Sequence, residues 1–157
     1  MKMQKAFLAH LKRYLISILA KEFEIDCEYP YETVTTPGGT IISPNYPNNN
    51  YDDNLDCKVT ITFGGQVKIT FVQFDLEEDD QDPDDLCGYD WIQVYDANTL
   101  NPDYTDLISS KLCGKDNPSP ITSFGNSMSL LFHSDSSTTS KGFEIKVDQG
   151  MMYNVIL

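Results

Sequence analysis

The sequence lacks the motifs by which common enzyme classes are recognised. It has no HExxH zinc motif, no glycine-rich phosphate loop and no GxSxG nucleophile motif. No CxxC pair is present, and the four cysteines are spaced too widely and too evenly for a zinc knuckle. Asn-x-Ser/Thr sequons are also absent, so we do not expect N-glycosylation. We therefore predict that the chain is not an enzyme.

Positive charge and long apolar runs are also scarce. The chain has 11 Lys and Arg against 24 Asp and Glu, a net charge of −13. A field of this sign repels phosphate backbones, so we expect no nucleic-acid partner and favour basic proteins or metal cations. No run of about 18 apolar residues free of charge occurs, and we therefore expect no transmembrane helix.

Residues 1–26 differ in pattern from the rest of the chain. Apolar side chains recur there at helical spacing, with basic side chains mostly on the other side. The favoured interpretation is a leader, either a secretory signal cut after Ala20 or another added segment. The alternatives are a retained amphipathic helix that contacts a membrane or a partner, and a helix packed on the following domain.

From Cys27 onward the hydrophobic pattern has a period of two. It predicts strands at residues 59–63, 67–74, 91–95, 128–132 and 143–147. Gly64-Gly65 predicts a two-residue hairpin between the first two strands. Several short strands without a helical period predict an all-β fold, an antiparallel β-sandwich. We expect one domain over residues 27–148 and a tail over residues 149–157.

Two further residue sets have simple structural interpretations. Trp91 and the aromatic-rich strands are predicted to be core rather than a surface that stacks on a ligand. His133, Ser134 and Asp135 include the residue types of a hydrolase triad. Neighbours on an extended strand point to opposite faces, however, and cannot form one proton relay.

The number of cysteines indicates the cellular compartment of the protein. An even number of cysteines among short strands suits an oxidising, extracellular compartment, and four cysteines allow three pairings.

Eight of the eleven residues from Asp75 to Asp85 are carboxylates. Such a run repels itself unless water, a cation or a basic partner screens it. It is therefore either a solvated loop or part of a cation site.

Eight motifs follow one another in a fixed order over about residues 27–148: Cys27, GGTIISPNYPNNNY (38–51), Cys57, FVQFDLE (71–77), CGYDWIQVYD (87–96), KLCG (111–114), GNSMSLLFHSDSS (125–137) and GFEIKV (142–147). In this order they resemble the CUB domain family, which consists of extracellular β-sandwich modules. The resemblance implies a jelly-roll-like sandwich in a secreted protein. It also implies the disulfide pairs Cys27 with Cys57 and Cys87 with Cys113.

The calcium-binding subset of the family implies a set of ligands in this chain. Its three acidic positions match Glu77, Asp90 and Asp135. Ca²⁺ takes six to eight oxygen ligands, and carboxylates from three separate loops can converge on one ion. Tyr51 matches a tyrosine that supports these acids by hydrogen bonding, and Ser137 is a further candidate for metal support or partner binding.

The segment between Glu77 and Cys87 departs from the family pattern because it is longer and more acidic. It makes Glu78 or Asp79 possible substitutes for Glu77. The resemblance implies an extracellular module in which Ca²⁺ orders acidic loops that bind an exposed Lys or Arg of a partner protein. The alternative functions are a non-catalytic substrate-recognition domain of a secreted protease, or an acidic carrier for a membrane-active helix in residues 1–26.

Overall fold

The computed structural model describes residues 22–28, 33–79, 86–97 and 104–150 as a sandwich of two β-sheets. The strands are β1 (Glu22–Glu24), β2 (Thr33–Val34), β3 (Gly39–Ile42), β4 (Asp56–Thr62), β5 (Val67–Asp75), β6 (Trp91–Tyr95), β7 (Ile121–Thr122), β8 (Ser127–His133) and β9 (Gly142–Gln149), with a 3₁₀ turn at Tyr104–Asp106. One sheet has the order β1-β3-β9-β5-β7 and the other the order β2-β4-β8-β6. The described part of the chain contains no helix long and apolar enough to cross a membrane.

Alternating apolar side chains from both sheets form one core. Those at most 1% exposed include Ile41, Val59, Ile61, Val67, Ile69, Phe74, Ile92, Val94, Leu130, Phe132, Phe143 and Ile145. The structure confirms the five predicted strands, and all of these residues except Ile41, which lies in β3, belong to them. They alternate along each strand because successive side chains point to opposite faces, and the alternation shifts once, at the β-bulge between Phe71 and Gln73. The ring of Phe132 contacts the rings of Tyr51 and Phe143 edge to face, each at a centroid distance of 5.2 Å. The core therefore fixes the position of Tyr51.

Both sheets are mixed rather than purely antiparallel. The central pairs, such as β5 with β9 and β4 with β8, are antiparallel. At one edge of each sheet, β1 pairs with β3 and β2 with β4 in parallel. The antiparallel prediction is therefore wrong at these two edges. An alternating pattern indicates which face of a strand is buried, but it carries no information about the direction of the neighbouring strand.

The predicted hairpin at Gly64-Gly65 is also wrong. Strand β4 pairs with β8, whereas β5 pairs with β9 in the other sheet. The two glycines therefore carry the chain from one sheet to the other. The apolar faces of β4 and β5 both point into the core, but from opposite sides of it. Apolar side chains alternate with a period of two both in strands that are neighbours in one sheet and in strands that face each other across a sandwich. The pattern therefore cannot distinguish a hairpin from a crossing between sheets.

The sandwich begins earlier than predicted. Strand β1 and the buried side chain of Ile25, which is 4% exposed, precede residue 27 and belong to the sandwich. The boundary predicted between residues 26 and 27 therefore lies inside the fold, because these residues pair with β3. Residues 1–21 lie outside the described part, and the leader, helix and membrane-contact interpretations concern them. Strand β9 ends one residue beyond the predicted end of the domain.

Trp91 lies on the outer face of its sheet, so the prediction that it belongs to the core is wrong. Because Ile92 and Val94 point into the core, alternation directs Trp91 outward. The Trp91 ring stacks on His133 at a centroid distance of 5.1 Å, and Lys111 Nζ lies 5.4 Å from the ring centroid. An aromatic side chain at a strand end can lie on the core face or on the outer face of the sheet, and the residue type alone does not indicate which.

His133 and Ser134, two of the residue types of a hydrolase triad, point in opposite directions. His133 Nδ1 lies 2.8 Å from Asp56 Oδ1. The buried Ser134 hydroxyl donates to the Asp52 carbonyl oxygen at 2.8 Å. The two side chains therefore have different partners, as their opposite directions on the chain require.

Replacing Gly142 by alanine should destabilise the sandwich. Gly142 has φ +92°, and a Cβ there would overlap the Ser43 hydroxyl, which accepts the Phe143 N–H at 3.1 Å. We expect Gly142→Ala to lower the free energy of unfolding by about 2–4 kcal/mol in urea titrations. Gly64→Ala is the matched control, because a Cβ at Gly64 meets no atom within 4 Å. It should change stability by less than about 0.5 kcal/mol. Equal losses in both variants would contradict this account.

Candidate metal centre

Ends of three strands place three carboxylates at one end of the sandwich. Glu77 follows β5 by two residues, Asp90 directly precedes β6, and Asp135 follows β8 by two residues. Strand β5 belongs to one sheet, and β6 and β8 belong to the other. The acids therefore come from both sheets. Because these residues are so close to strand ends, the strands fix their positions. The site is therefore held by the sandwich and not by long loops.

The three carboxylates predicted as metal ligands meet in space. One carboxylate oxygen from each of Glu77, Asp90 and Asp135 lies within 4.8 Å of the others. Asp90 is fully buried, whereas Glu77 and Asp135 are partly exposed. Among the residues that the structure describes, no other set of three His, Cys, Asp or Glu side chains meets in this way.

Asp90 connects the segments of the site through hydrogen bonds. Asp90 Oδ1 accepts the Asp135 N–H at 2.8 Å, and Asp90 Oδ2 accepts the hydroxyl proton of Tyr51. The Tyr51 hydroxyl oxygen accepts the Glu77 N–H at 3.2 Å. Tyr51 thus bridges two of the acids by hydrogen bonds. Ser137 contributes through its main chain, since its N–H donates to Asp135 Oδ1 at 2.9 Å.

Burial and like charge raise the pKa of two of these acids. Burial is the largest cause of the raised pKa of Asp90; the Asp135 charge raises it further, and hydrogen bonds from Tyr51 and Asp135 offset part of the effect. Burial also raises the pKa of Glu77, and the charges of Asp90 and Asp135 add to it. The pKa of Tyr51 is raised by burial and by its bond to Asp90, so its hydroxyl stays a donor. A bound cation would favour the charged carboxylates.

The residues present fit a hard divalent cation. Glu77 Oε2 is buried and has no hydrogen-bond partner among the described residues. An unpaired buried acceptor is costly, and a cation is one partner that would satisfy it. The donor set consists of carboxylates, without imidazole or thiolate. Such oxygen ligands suit Ca²⁺ or Mg²⁺ rather than zinc or copper.

The two possible substitutes for Glu77 lie in other surroundings. Glu78 is exposed, and its carboxylate lies beside Gly114, where a Cβ would sit 3.2 Å from Glu78 Oε2. Asp79 is buried, shares a hydrogen bond with the Tyr89 side chain, and donates its N–H to the Leu86 carbonyl at 2.8 Å. Neither belongs to the set of converging carboxylates. The rest of the acidic run, residues 80–85, lies outside the described part.

Two disulfides form as the resemblance implied. They join Cys27 to Cys57 and Cys87 to Cys113. Cys87 lies three residues before Asp90, and its carbonyl oxygen accepts a hydrogen bond from Lys111 Nζ at 3.3 Å. The second disulfide therefore fixes the segment that delivers Asp90 to the site.

The sequence did not identify two residues that shape the site. Thr138 has φ +58°, and its side chain forms a hydrogen bond with Glu77. Asn54 also has φ +58° and donates its N–H to the Asp135 carbonyl at 2.6 Å. Asparagine tolerates positive φ, so Asn54 carried a weak turn signal. Threonine does not favour positive φ, and nothing in the sequence distinguished Thr138 from its Ser and Thr neighbours.

Comparison with known proteins decides the family. The family model of the CUB domain matches residues 14–147. The chain belongs to the CUB domain family. CUB domains occur in extracellular or secreted proteins and act as non-catalytic protein-interaction modules, which confirms for this domain the prediction that it is not an enzyme. The two packed sheets match the CUB fold and confirm the predicted β-sandwich. The match begins at residue 14, inside the segment 1–26 for which a leader is the favoured interpretation.

Relatives of this CUB domain are much longer than the chain. Tolloid-like protein 2 of Mus musculus is 34% identical over 124 residues, which cover 77% of this chain and 11% of that protein. Neuropilin-2 of Rattus norvegicus is 37% identical over 124 residues, covering 77% of this chain and 12% of that protein. The chain therefore spans about a tenth of the length of these relatives.

Solved structures with the same fold include one with bound metal. The MASP-1 CUB2 domain bound to Ca²⁺ superposes with a TM-score of 0.62 at 29% identity, covering 76% of this chain and 99% of that one. The CUB1-EGF-CUB2 domains of rat MASP-1 superpose with a TM-score of 0.63 at 29% identity, covering 80% and 41%. A calcium-bound CUB domain is thus a structural neighbour of this chain.

Removing the Tyr51 hydroxyl should weaken the acidic end of the CUB domain. In Tyr51→Phe, Asp90 loses a donor and the Glu77 N–H loses its acceptor. We expect the free energy of unfolding, measured by urea titration, to fall by about 1–3 kcal/mol. Tyr46→Phe is the matched control, because the Tyr46 hydroxyl donates to Glu144 at 3.3 Å in a partly exposed position. Similar losses in both variants would argue against a special role for Tyr51.

Proposed function

We propose that the chain is an extracellular, calcium-binding recognition module. Glu77, Asp90 and Asp135 would hold Ca²⁺, and the acidic loops ordered in this way would bind a Lys or Arg side chain of a partner protein. The observation that carries the proposal is the convergence of these three carboxylates around a buried Glu77 oxygen that lacks a hydrogen-bond partner.

Electrostatics supports a divalent cation at this position. Bound Ca²⁺ supplies positive charge that offsets the mutual repulsion of the three carboxylates. Asp90 is held in place by its bonds to Tyr51 and Asp135, so the site does not need to be assembled from mobile side chains. Backbone carbonyls and water would complete the six to eight oxygens that Ca²⁺ takes. The calcium-bound CUB neighbour supports the same identity of the ion.

The acids differ in burial, so they can differ in role: a buried acid can bind only the ion, whereas a partly exposed acid can also contact a partner protein. Asp90 is buried, so its carboxylate cannot contact a partner. Glu77 and Asp135 are partly exposed and can offer an outer oxygen to an ammonium or guanidinium group. Such charge-assisted hydrogen bonds are about twice as strong as neutral ones. The net charge of −13 would also steer a basic partner toward the domain.

Asp135→Ala should abolish stabilisation by calcium. We expect about 5 mM Ca²⁺, at constant ionic strength, to stabilise the unmodified chain by about 1–2 kcal/mol if the dissociation constant is about 10⁻⁴–10⁻³ M, typical of extracellular modules. The unfolding temperature should then rise by several degrees.

The Asp135→Ala variant should fold but show no such rise. Asp148→Ala is the charge-matched control, because Asp148 pairs with Lys146 at 3.0 Å and lies opposite Lys68, near the far end of β5. This control should keep the calcium response. An undiminished response in Asp135→Ala would refute the assignment of Asp135 as a ligand.

A lysine side chain should bind near the site only when calcium is present. We would titrate the ¹⁵N-labelled chain with N-acetyl-lysine amide and follow the amide signals of Glu77, Asp135 and Ser137 by NMR. Saturable shifts at these amides are expected in calcium and should disappear with chelator. N-acetyl-norleucine amide, which has the same carbon chain without the ammonium group, should give no shift. Shifts that do not depend on calcium would contradict the proposed recognition mode.

A further inference from the structure

A short segment at the acidic end of the domain joins the two sheets. The Ile92 N–H donates to the Leu112 carbonyl at 3.0 Å, and the Leu112 N–H donates to the Ile92 carbonyl at 2.9 Å. Two residues further along the chain, the Gly114 carbonyl accepts the Leu76 N–H at 3.0 Å. Leu76 directly follows β5 in the five-stranded sheet, and Ile92 lies in β6 of the other sheet. Residues 112–114, which we call the link, therefore hold one strand of each sheet.

The link holds these strands next to two of the candidate calcium ligands. Leu76 directly precedes Glu77, and Ile92 lies two residues after Asp90. Leu76 and Ile92 are at most 1% exposed, so water does not compete for their bonds to the link. Ca²⁺ takes its oxygens at about 2.3–2.6 Å, so a site whose ligand-bearing strands can move apart binds it less tightly. The link thus helps to set the separation that calcium binding requires.

One disulfide ties the link to the segment that precedes Asp90. Cys113 is the central residue of the link, and it is bonded to Cys87, three residues before Asp90. Both cysteines are partly exposed. In the other disulfide, Cys57 is only 1% exposed. A thiol in solution therefore has access to the disulfide at the calcium site, whereas the core shields one half of the other disulfide.

We propose that, within the calcium-dependent function proposed above, the Cys87–Cys113 disulfide is a thiol-sensitive switch on calcium binding, an inference that rests on that function. The reductant is a dithiol. One of its thiolates attacks a sulfur of the disulfide, forms a mixed disulfide and releases the other cysteine, which takes up a proton. The second thiol then displaces the remaining cysteine in the same way. The protein disulfide gains two electrons and two protons, and the dithiol is oxidised to a disulfide.

Reduction loosens the site because only non-covalent contacts then join the link to the segment before Asp90. One of these contacts is the hydrogen bond from Lys111 Nζ to the Cys87 carbonyl at 3.3 Å. The like charges of Glu77 and Asp90 push the two carboxylates apart when no ion is bound. Calcium binding must then order the loosened segment, and the entropic cost lowers the affinity.

A purely structural role is the simpler interpretation, and the other disulfide is the matched control for it. The bonded cysteines are 26 residues apart in Cys87–Cys113 and 30 residues apart in Cys27–Cys57. Loss of either disulfide should therefore cost similar stability in the chain-entropy model. Cys57 lies in β4, which pairs with β8 along its whole length and does not need the disulfide to stay in place. Only Cys87–Cys113 should therefore affect calcium binding.

The first test compares the full chain with two double variants, Cys87→Ser/Cys113→Ser and Cys27→Ser/Cys57→Ser. Calcium is titrated by calorimetry at a temperature at which NMR shows all three to be folded. We expect the dissociation constant to rise at least about fivefold in Cys87→Ser/Cys113→Ser and less than about twofold in the control. Equal constants in all three proteins, or equal weakening in both variants, would overturn the proposal.

The second test uses the unmodified chain, so it does not depend on the variants being folded. By linkage, calcium must oppose reduction by the same factor by which reduction weakens calcium binding. The chain is equilibrated with a dithiothreitol redox buffer, its free thiols are alkylated, and each cysteine is quantified by peptide mass spectrometry. Saturating calcium should lower the equilibrium constant for reduction of Cys87–Cys113 at least about fivefold relative to chelator, and that of Cys27–Cys57 less than about twofold.

The outcomes separate this inference from the function on which it rests. If calcium binds the chain but leaves the reduction of Cys87–Cys113 unchanged, the switch is refuted and the calcium site stands. If the unmodified chain binds no calcium at all, the proposed function is refuted and the switch with it.

Discussion

A buried aspartate is the constraint on which the acidic end of this domain depends. Placing a carboxylate in a protein interior is costly unless its oxygens are hydrogen-bonded or paired with positive charge. Asp90 meets the first condition through Tyr51 and the Asp135 main chain. The same bonds determine where the neighbouring acids lie, so that satisfying one buried group also places three charges together. Because these three charges repel one another, a bound cation would meet the second condition and offset the repulsion.

The core and the site are mechanically connected. Tyr51 packs its ring against Phe132 in the core and places its hydroxyl between Asp90 and Glu77. Its hydroxyl position is therefore determined by aromatic packing and not by the surface loops. The disulfide between Cys87 and Cys113 restrains the approach to Asp90. The sandwich thus supplies the rigidity that holds the acids together.

Much of the fold and of the site could be predicted, for different reasons. Alternation identified the five long strands because burial of one face has a period of two. It could not show that β4 and β5 lie in different sheets, or that β1 pairs in parallel with β3 and β2 with β4. Strand direction and pairing depend on partners distant in sequence. The three acids were found through family resemblance. Thr138 was missed because its role arises from a backbone conformation that threonine rarely adopts.

Calorimetric titration of the chain with calcium, at constant and near-physiological ionic strength, tests the central claim most directly. If Glu77, Asp90 and Asp135 form one cation site, binding should saturate at one ion per chain, with a dissociation constant on the order of 10⁻⁴–10⁻³ M. The affinity of such a site should depend only weakly on added sodium chloride, because its charges are partly buried. A binding heat that does not saturate with calcium, or that disappears as the salt concentration is raised, would mean that calcium only screens the acidic surface. Either result would contradict the account.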